Sequence, residues 1–118
     1  MFTLALVGLL VLSASTFALA QTLTIVSPNY AEPQILAEAV KIIIEKNTDL
    51  QVEHIRNFSS STLLHAALTS GNAQMYVSYT GTQFAGVLGM EVTDEWKDAR
   101  KVEEYVQQEF DQRFDATW

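Results

Sequence analysis

The chain has 118 residues, a formal net charge of −7 and no cysteine. That length allows one ordinary domain. The acidic balance argues against nucleic acid, whose phosphates need Lys and Arg to displace counterions. The missing thiols exclude a disulfide scaffold, a thiolate zinc site and a cysteine nucleophile.

In chain order, no charged side chain occurs before Glu32. Met1–Leu12 reads MFTLALVGLLVL, and the run continues through Ser13-Ala14-Ser15-Thr16-Phe17 to Ala18-Leu19-Ala20. An apolar core of about a dozen residues closed by small-x-small is the pattern of a secretory signal peptide, here cleaved after Ala20. The start lacks the usual Lys or Arg. A membrane-spanning helix would need about 20 apolar residues, and Ser13, Ser15 and Thr16 interrupt this run. Residues 1–20 are therefore expected to be a signal, and residues 21–118 a soluble periplasmic product with no cysteine to carry a lipid.

Leu23–Val26 is a short β-prone run that stops at Ser27-Pro28-Asn29, a turn-forming cluster. From Gln34 to Lys46 the residues Leu36, Ala39, Val40, Ile43 and Ile44 recur at helical spacing, with Pro33 near the first turn. Gln51–Arg56 alternates polar and apolar as a half-buried strand does. Ser59-Ser60-Ser61-Thr62 supplies capping hydroxyls for a second helix over Leu63, Leu64, Ala67 and Leu68, and Ser70-Gly71-Asn72 stops it. Gln74–Tyr79 is predicted as a third strand, with Met75, Val77 and Tyr79 on one face and Tyr76 on the other. A short helical stretch follows Thr80-Gly81-Thr82. Thr93-Asp94 then opens a long helix whose buried stripe is Val102, Val106, Phe110 and Phe114. Residues 91–118 hold 9 acidic and 4 basic side chains, read as a solvated helix face.

The order β-α-β-α-β-α-α implies an α/β fold with a parallel sheet and right-handed crossovers. Ligands of open α/β sheets sit outside the carboxyl ends of the strands. Three segments meet that description: Ser27–Tyr30, Asn57–Thr62 and Tyr79–Thr82. They are rich in hydroxyls and amides, two carry tyrosines, and two lead into helix N-termini that favour an anion. A tyrosine face beside an anion site suits a zwitterion, with cation–π attraction for an alkylammonium and N–H donors for a carboxylate.

Catalytic patterns are missing. His54 and His65 have no cysteine or paired carboxylate nearby in sequence, so they form no zinc pattern. There is no Gly-x-Ser-x-Gly elbow, no base for the serines of 59–61, and no phosphate-binding glycine loop. The reading is of a binding protein that needs no cofactor, rather than an enzyme.

Two segments resemble a known family. Ser27-Pro28-Asn29-Tyr30-Ala31-Glu32-Pro33-Gln34-Ile35-Leu36 is similar to the first-loop motif, Ser-Lys-Asn-Phe-Thr-Glu-Gln and then Ile-Leu, of substrate-binding proteins from osmoprotectant ABC importers. Gly71–Thr82, GNAQMYVSYTGT, resembles their more specific signature, in which an aspartate-rich turn leads into Met-Tyr-Pro-Glu-Tyr-Thr-Gly-Thr. The resemblance runs to the closing segment Tyr105–Trp118. It implies a periplasmic-binding-protein-like (type II) lobe from a two-lobed clamshell. The implied ligand is a quaternary amine such as glycine betaine, carnitine or choline, delivered to an ABC permease in the inner membrane.

Carried over residue by residue, the resemblance makes Tyr79 one wall of an aromatic box and Thr82 a holder of the ligand carboxylate. Thr62 becomes the polar position at the start of the second helix, and Asn29 part of the first-loop side of the cleft. Each has a structural alternative: packing for Tyr79, capping for Thr82 and Thr62, turn formation for Asn29. The sequence departs from the family pattern at Pro28, which removes one carboxylate partner, at Val77-Ser78 in place of Pro-Glu, and at Pro33 in place of Gln. The matched stretch corresponds to the first lobe, so half a cleft is expected. The alternative is a truncated fragment of such a protein that binds nothing tightly.

Overall fold

A computed structural model describes residues 22–118, so the signal expected over residues 1–20 lies outside the described residues. Strand β1 (Thr22–Pro28) is the middle of a three-stranded sheet in the order β2-β1-β3, parallel throughout. Being central, β1 is covered on both faces, so the adjacent residues Ile25 and Val26 are both buried. Ile25 packs with Ala37 and Val52 on one side of the sheet. Its neighbour Val26 packs with Leu64 and Ala73 on the other, because successive side chains of a strand point to opposite faces.

Helix α1 (Ala31–Asn47) covers the first face. It begins three residues before the predicted Gln34. Pro33 lies buried in its first turn, where the missing N–H has no intrahelical acceptor to lose. Its core-facing stripe is Pro33, Ala37, Val40 and Ile44; of the predicted stripe Val40 and Ile44 face inward, whereas Leu36, Ala39 and Ile43 are exposed. The helix is apolar around most of its circumference and the sheet has three strands among the described residues. The second apolar flank therefore points outward, leaving Ile35 67% and Ile43 61% exposed.

Strand β2 (Gln51–Phe58) pairs in register with β1 from Thr22↔Gln51 to Val26↔Ile55, then slips by one residue to pair Pro28 with Phe58. The slip occurs at Asn57, whose φ of 75° is left-handed, a conformation that asparagine tolerates better than most residues. The slip turns Phe58 into the core on the α2 side. Helix α2 (Ser61–Thr69) is capped by Ser60, whose Oγ accepts from the Leu63 N–H at 3.2 Å. The turn that ends it uses Gly71 at φ 77°.

Strand β3 is Met75–Tyr76, much shorter than the predicted Gln74–Tyr79. At its start Gln74 doubles the ladder, its backbone N–H donating to Thr24 O while its side-chain Oε1 accepts from the Thr24 N–H. Beyond Tyr76 the chain stays extended without ladder bonds, since β3 is an edge strand and β1 itself is about to end. The predicted alternation persists. Val77 reaches the α1-side core, and Tyr76 the opposite side.

Helix α3 (Thr80–Gly86) leads into a third cluster, built from Phe84, Val106 and Phe110. The predicted long helix is α4 (Ala99–Phe114), and Thr93-Asp94 opens a 3₁₀ turn at Asp94–Trp96 instead. Asp98 is the effective cap, its Oδ1 accepting from the N–H groups of Arg100 and Lys101. The break lets the Trp96 ring drop against Phe84 and Tyr105, with centroids 4.9 and 5.0 Å away. The predicted stripe holds, with Val106 and Phe110 buried and Val102 and Phe114 packed around them.

Candidate ligand-binding site

The carboxyl ends of β1 and β2 and the chain leaving β3 meet at one end of the sheet. Between them opens a cavity of about 420 Å³. One wall is Pro28, Asn29 and Tyr30, the link from β1 to α1; another is Phe58 to Ser61, the link from β2 to α2; the third carries Ser78 and Thr82. Every strand end thus contributes, as parallel α/β topology requires. The lining offers hydroxyls, one carboxamide and two aromatic rings, and no side chain with a formal charge.

Of the residues singled out from sequence, the structure brings Asn29 and Thr82 together across this cavity. Tyr79 flanks it, between the lining residues Ser78 and Thr82, as the residue that opens α3. Its hydroxyl oxygen is covered by immediate neighbours yet makes no hydrogen bond among the described residues. Burial raises its pKa, and the nearby Glu32 carboxylate and Tyr30 hydroxyl add to that, although neither has hydrogen-bonding geometry to it. An orphaned buried hydroxyl is costly, so Tyr79 is the lone unsatisfied side chain of this neighbourhood among the described residues. Thr62 is exposed on the first turn of α2, outside the lining. The cap it was expected to share is Ser60.

Sequence reading did not single out Tyr30, Phe58, Ser59, Ser61 or Ser78 as individual contributors, though all but Ser78 lie in the three strand-end segments. Ser61 was hidden by a packing relationship: a Cβ added at Gly86 would stand 2.9 Å from Ser61 Oγ. That glycine lets the start of α2 and the end of α3 close up behind the cavity. Ser78 is held by Gln83, fully buried in α3, whose Nε2 donates to Ser78 Oγ while its Oε1 accepts from the Tyr76 hydroxyl at 3.0 Å.

The two histidines do not converge. His65 lies against Phe114, centroids 4.3 Å apart, and burial lowers its pKa, with Arg113 contributing. His54 is on the α1 side, its Nε2 2.7 Å from Ser27 Oγ and its Nδ1 2.7 Å from Glu38 Oε1. That order of groups matches a Ser-His-Glu hydrolase. Ser27 has no exposed surface, so no substrate reaches its oxygen.

A parallel α/β unit with a polar, aromatic-flanked cleft at its strand ends is a periplasmic-binding-protein-like lobe. The chain belongs to the family of substrate-binding domains of ABC-type glycine betaine transport systems, whose profile matches residues 21–118. It is 36% identical over 88 residues to the carnitine transport binding protein OpuCC of Listeria monocytogenes, covering 74% of this chain and 28% of that protein. It is also similar to a crystal structure of a glycine betaine/carnitine/choline ABC transporter. There the TM-score is 0.77 and the identity 31%, over 83% of this chain and 36% of that one. The chain thus spans about a third or less of the relatives it matches. The Listeria relative is a transport binding protein. No helix among the described residues is long and apolar enough to cross a membrane.

Proposed function

We propose that this chain forms the first-lobe half of an extracytoplasmic solute-binding protein, taking a quaternary-amine osmoprotectant such as carnitine, glycine betaine or choline. In this reading it hands the ligand to an ABC permease of the inner membrane. The observation that carries the reading is the convergence of Asn29 and Thr82 on one uncharged, hydroxyl-rich cavity with Tyr79 at its flank. A quaternary ammonium cannot donate hydrogen bonds. It is recognised by aromatic faces, at about 0.5–2 kcal/mol each, and Tyr79 and Tyr30 supply such faces here. Thr82, Asn29 and the serines of 59–61 are placed to satisfy a ligand carboxylate or hydroxyl. Closure of two lobes over the ligand is the hinge mechanism open to a clamshell, and this chain supplies one wall of it. Export by way of residues 1–20 and a periplasmic location belong to the same reading.

Amide chemical-shift mapping tests it. Titrating the labelled chain with carnitine is expected to move the amides of 28–30, 58–61 and 78–82 and leave α4 unmoved. Shifts confined to other surfaces, or none at saturating ligand, would remove the site from this cleft. The absence of shifts would favour the second reading, a fragment that does not bind by itself.

A further inference from the structure

Beneath the cavity, on the α1 side of the sheet, four polar side chains form a continuous chain that the ligand reading does not use. Ser27 is wholly buried, with Oγ 2.7 Å from His54 Nε2. The imidazole, whose side chain is 2% exposed, meets Glu38 Oε1 through Nδ1 at 2.7 Å. Arg56 Nη2 closes the chain on the same Glu38 oxygen.

The hydrogen positions follow from the chemistry. Glu38 is held ionised, its pKa lowered to about 2 by the hydrogen bond from His54 and then by that from Arg56. A carboxylate only accepts, so Nδ1 carries the ring hydrogen. Nε2 is left to pair with the Ser27 hydroxyl, which can both donate and accept. Both ring nitrogens are used, and the hydrogen on Nδ1 is fixed by its neighbour.

The position of this chain gives it consequence. Ser27 immediately precedes Pro28, Asn29 and Tyr30, the first wall of the cavity. His54 and Arg56 lie just before the slip at Asn57 that turns β2 into the second wall. Glu38 belongs to α1, whose Gln34 Nε2 also grips the Pro28 carbonyl at 3.2 Å. One hydrogen-bonded run therefore ties together the helix and the two strands on which two of the three cavity walls are mounted.

We infer that Ser27, His54 and Glu38 are positioning residues for the cleft, fixing the first loop relative to the second without touching ligand. The inference rests on the proposed binding function for its effect on affinity, and stands on its own for its effect on loop geometry. The test uses the isotopically labelled chain as wild type, Glu38→Gln and Ser27→Ala. Wild type is expected to show a hydrogen on His54 Nδ1, facing Glu38, in ring-nitrogen spectra. Glu38→Gln, at a partly exposed position where folding is not at risk, should shift the amides of 28–30 and 58–60 without any ligand present. Ser27→Ala should do the same and weaken carnitine binding about tenfold, the loss of one buried hydrogen bond. If wild type binds no carnitine while the loop amides move in both variants, the ligand reading falls and the positioning role stands. A His54 ring with no hydrogen on Nδ1, or unmoved loop amides in both variants, overturns the positioning role even where carnitine binds.

Discussion

The Tyr76 hydroxyl donates to Gln83 Oε1 at 3.0 Å across the turn from β3 into α3. Gln83 is fully buried, and its amide nitrogen bonds Ser78 on the cavity wall. The six residues between the two partners, which include Tyr79 and Thr82, are thereby held as a closed loop, and burial pushes the Tyr76 hydroxyl far above its ordinary pKa.

Gln83→Leu removes both bonds, leaving Ser78 Oγ without its partner and the Tyr76 hydroxyl with only a 3.5 Å approach to His65 Nδ1. The expected cost is about 1–3 kcal/mol, the penalty for unpaired buried polar groups. Urea unfolding of the variant measures it. A cost near zero would mean that the loop is held by its apolar contacts alone.

Phe110 anchors the third cluster, its ring 5.3 Å from those of both Phe114 and Trp118 and 5.4 Å from that of His65. Phe110→Ala is expected to cost about 3–5 kcal/mol, as large-to-small changes of a buried aromatic do. In a chain this small that is a large part of total stability, and loss of the cooperative thermal transition is the expected result.

Asn57 tests the strand slip. Asn57→Gly keeps the left-handed backbone and is expected to be near neutral in thermal melting. Asn57→Val is β-branched at φ 75° and should destabilise by about 1–3 kcal/mol, the cost of a strained backbone position.

Glu38 gives the pH dependence a sign. Its pKa is 4.5 in the unfolded chain and about 2 in the folded one. A depressed carboxyl stabilises the fold above its unfolded pKa, and that contribution disappears as pH falls through the folded pKa. The melting temperature of wild type should therefore exceed that of Glu38→Gln at neutral pH, with the gap closing between pH 4.5 and about 2. The carboxylate is 38% exposed, so solvent screening keeps the gap small.

The strands and helices were legible in the sequence wherever one local signal governed. The β-prone run Leu23–Val26, the Ser60 cap region and the 102-106-110-114 stripe formed as read, although β1 continues through Pro28 rather than stopping at Ser27. Three features were not legible, because each depends on a distant partner. The length of β3 is set by where β1 stops offering a ladder. The start of α4 is set by the place Phe84 and Tyr105 make for Trp96, which favours the Asp98 cap over Thr93. The inward face of α1 is chosen by Ile25 and Val52 from an apolar surface wider than they can cover. The cleft followed the same division. Its three segments could be named from strand ends, but Ser61 and Ser78 gained their places through Gly86 and Gln83. His54 had no visible partner in sequence, since Ser27 lies 27 residues away and Glu38 lies 16 away.

Calorimetric titration of the chain with carnitine, alongside Tyr79→Ala and Thr82→Val, tests the central claim most directly. The account predicts measurable binding to wild type, weakened in Thr82→Val and lost in Tyr79→Ala, with both variants folded by circular dichroism. Binding that survives Tyr79→Ala unchanged, or no heat from wild type at millimolar carnitine, glycine betaine and choline, would contradict it.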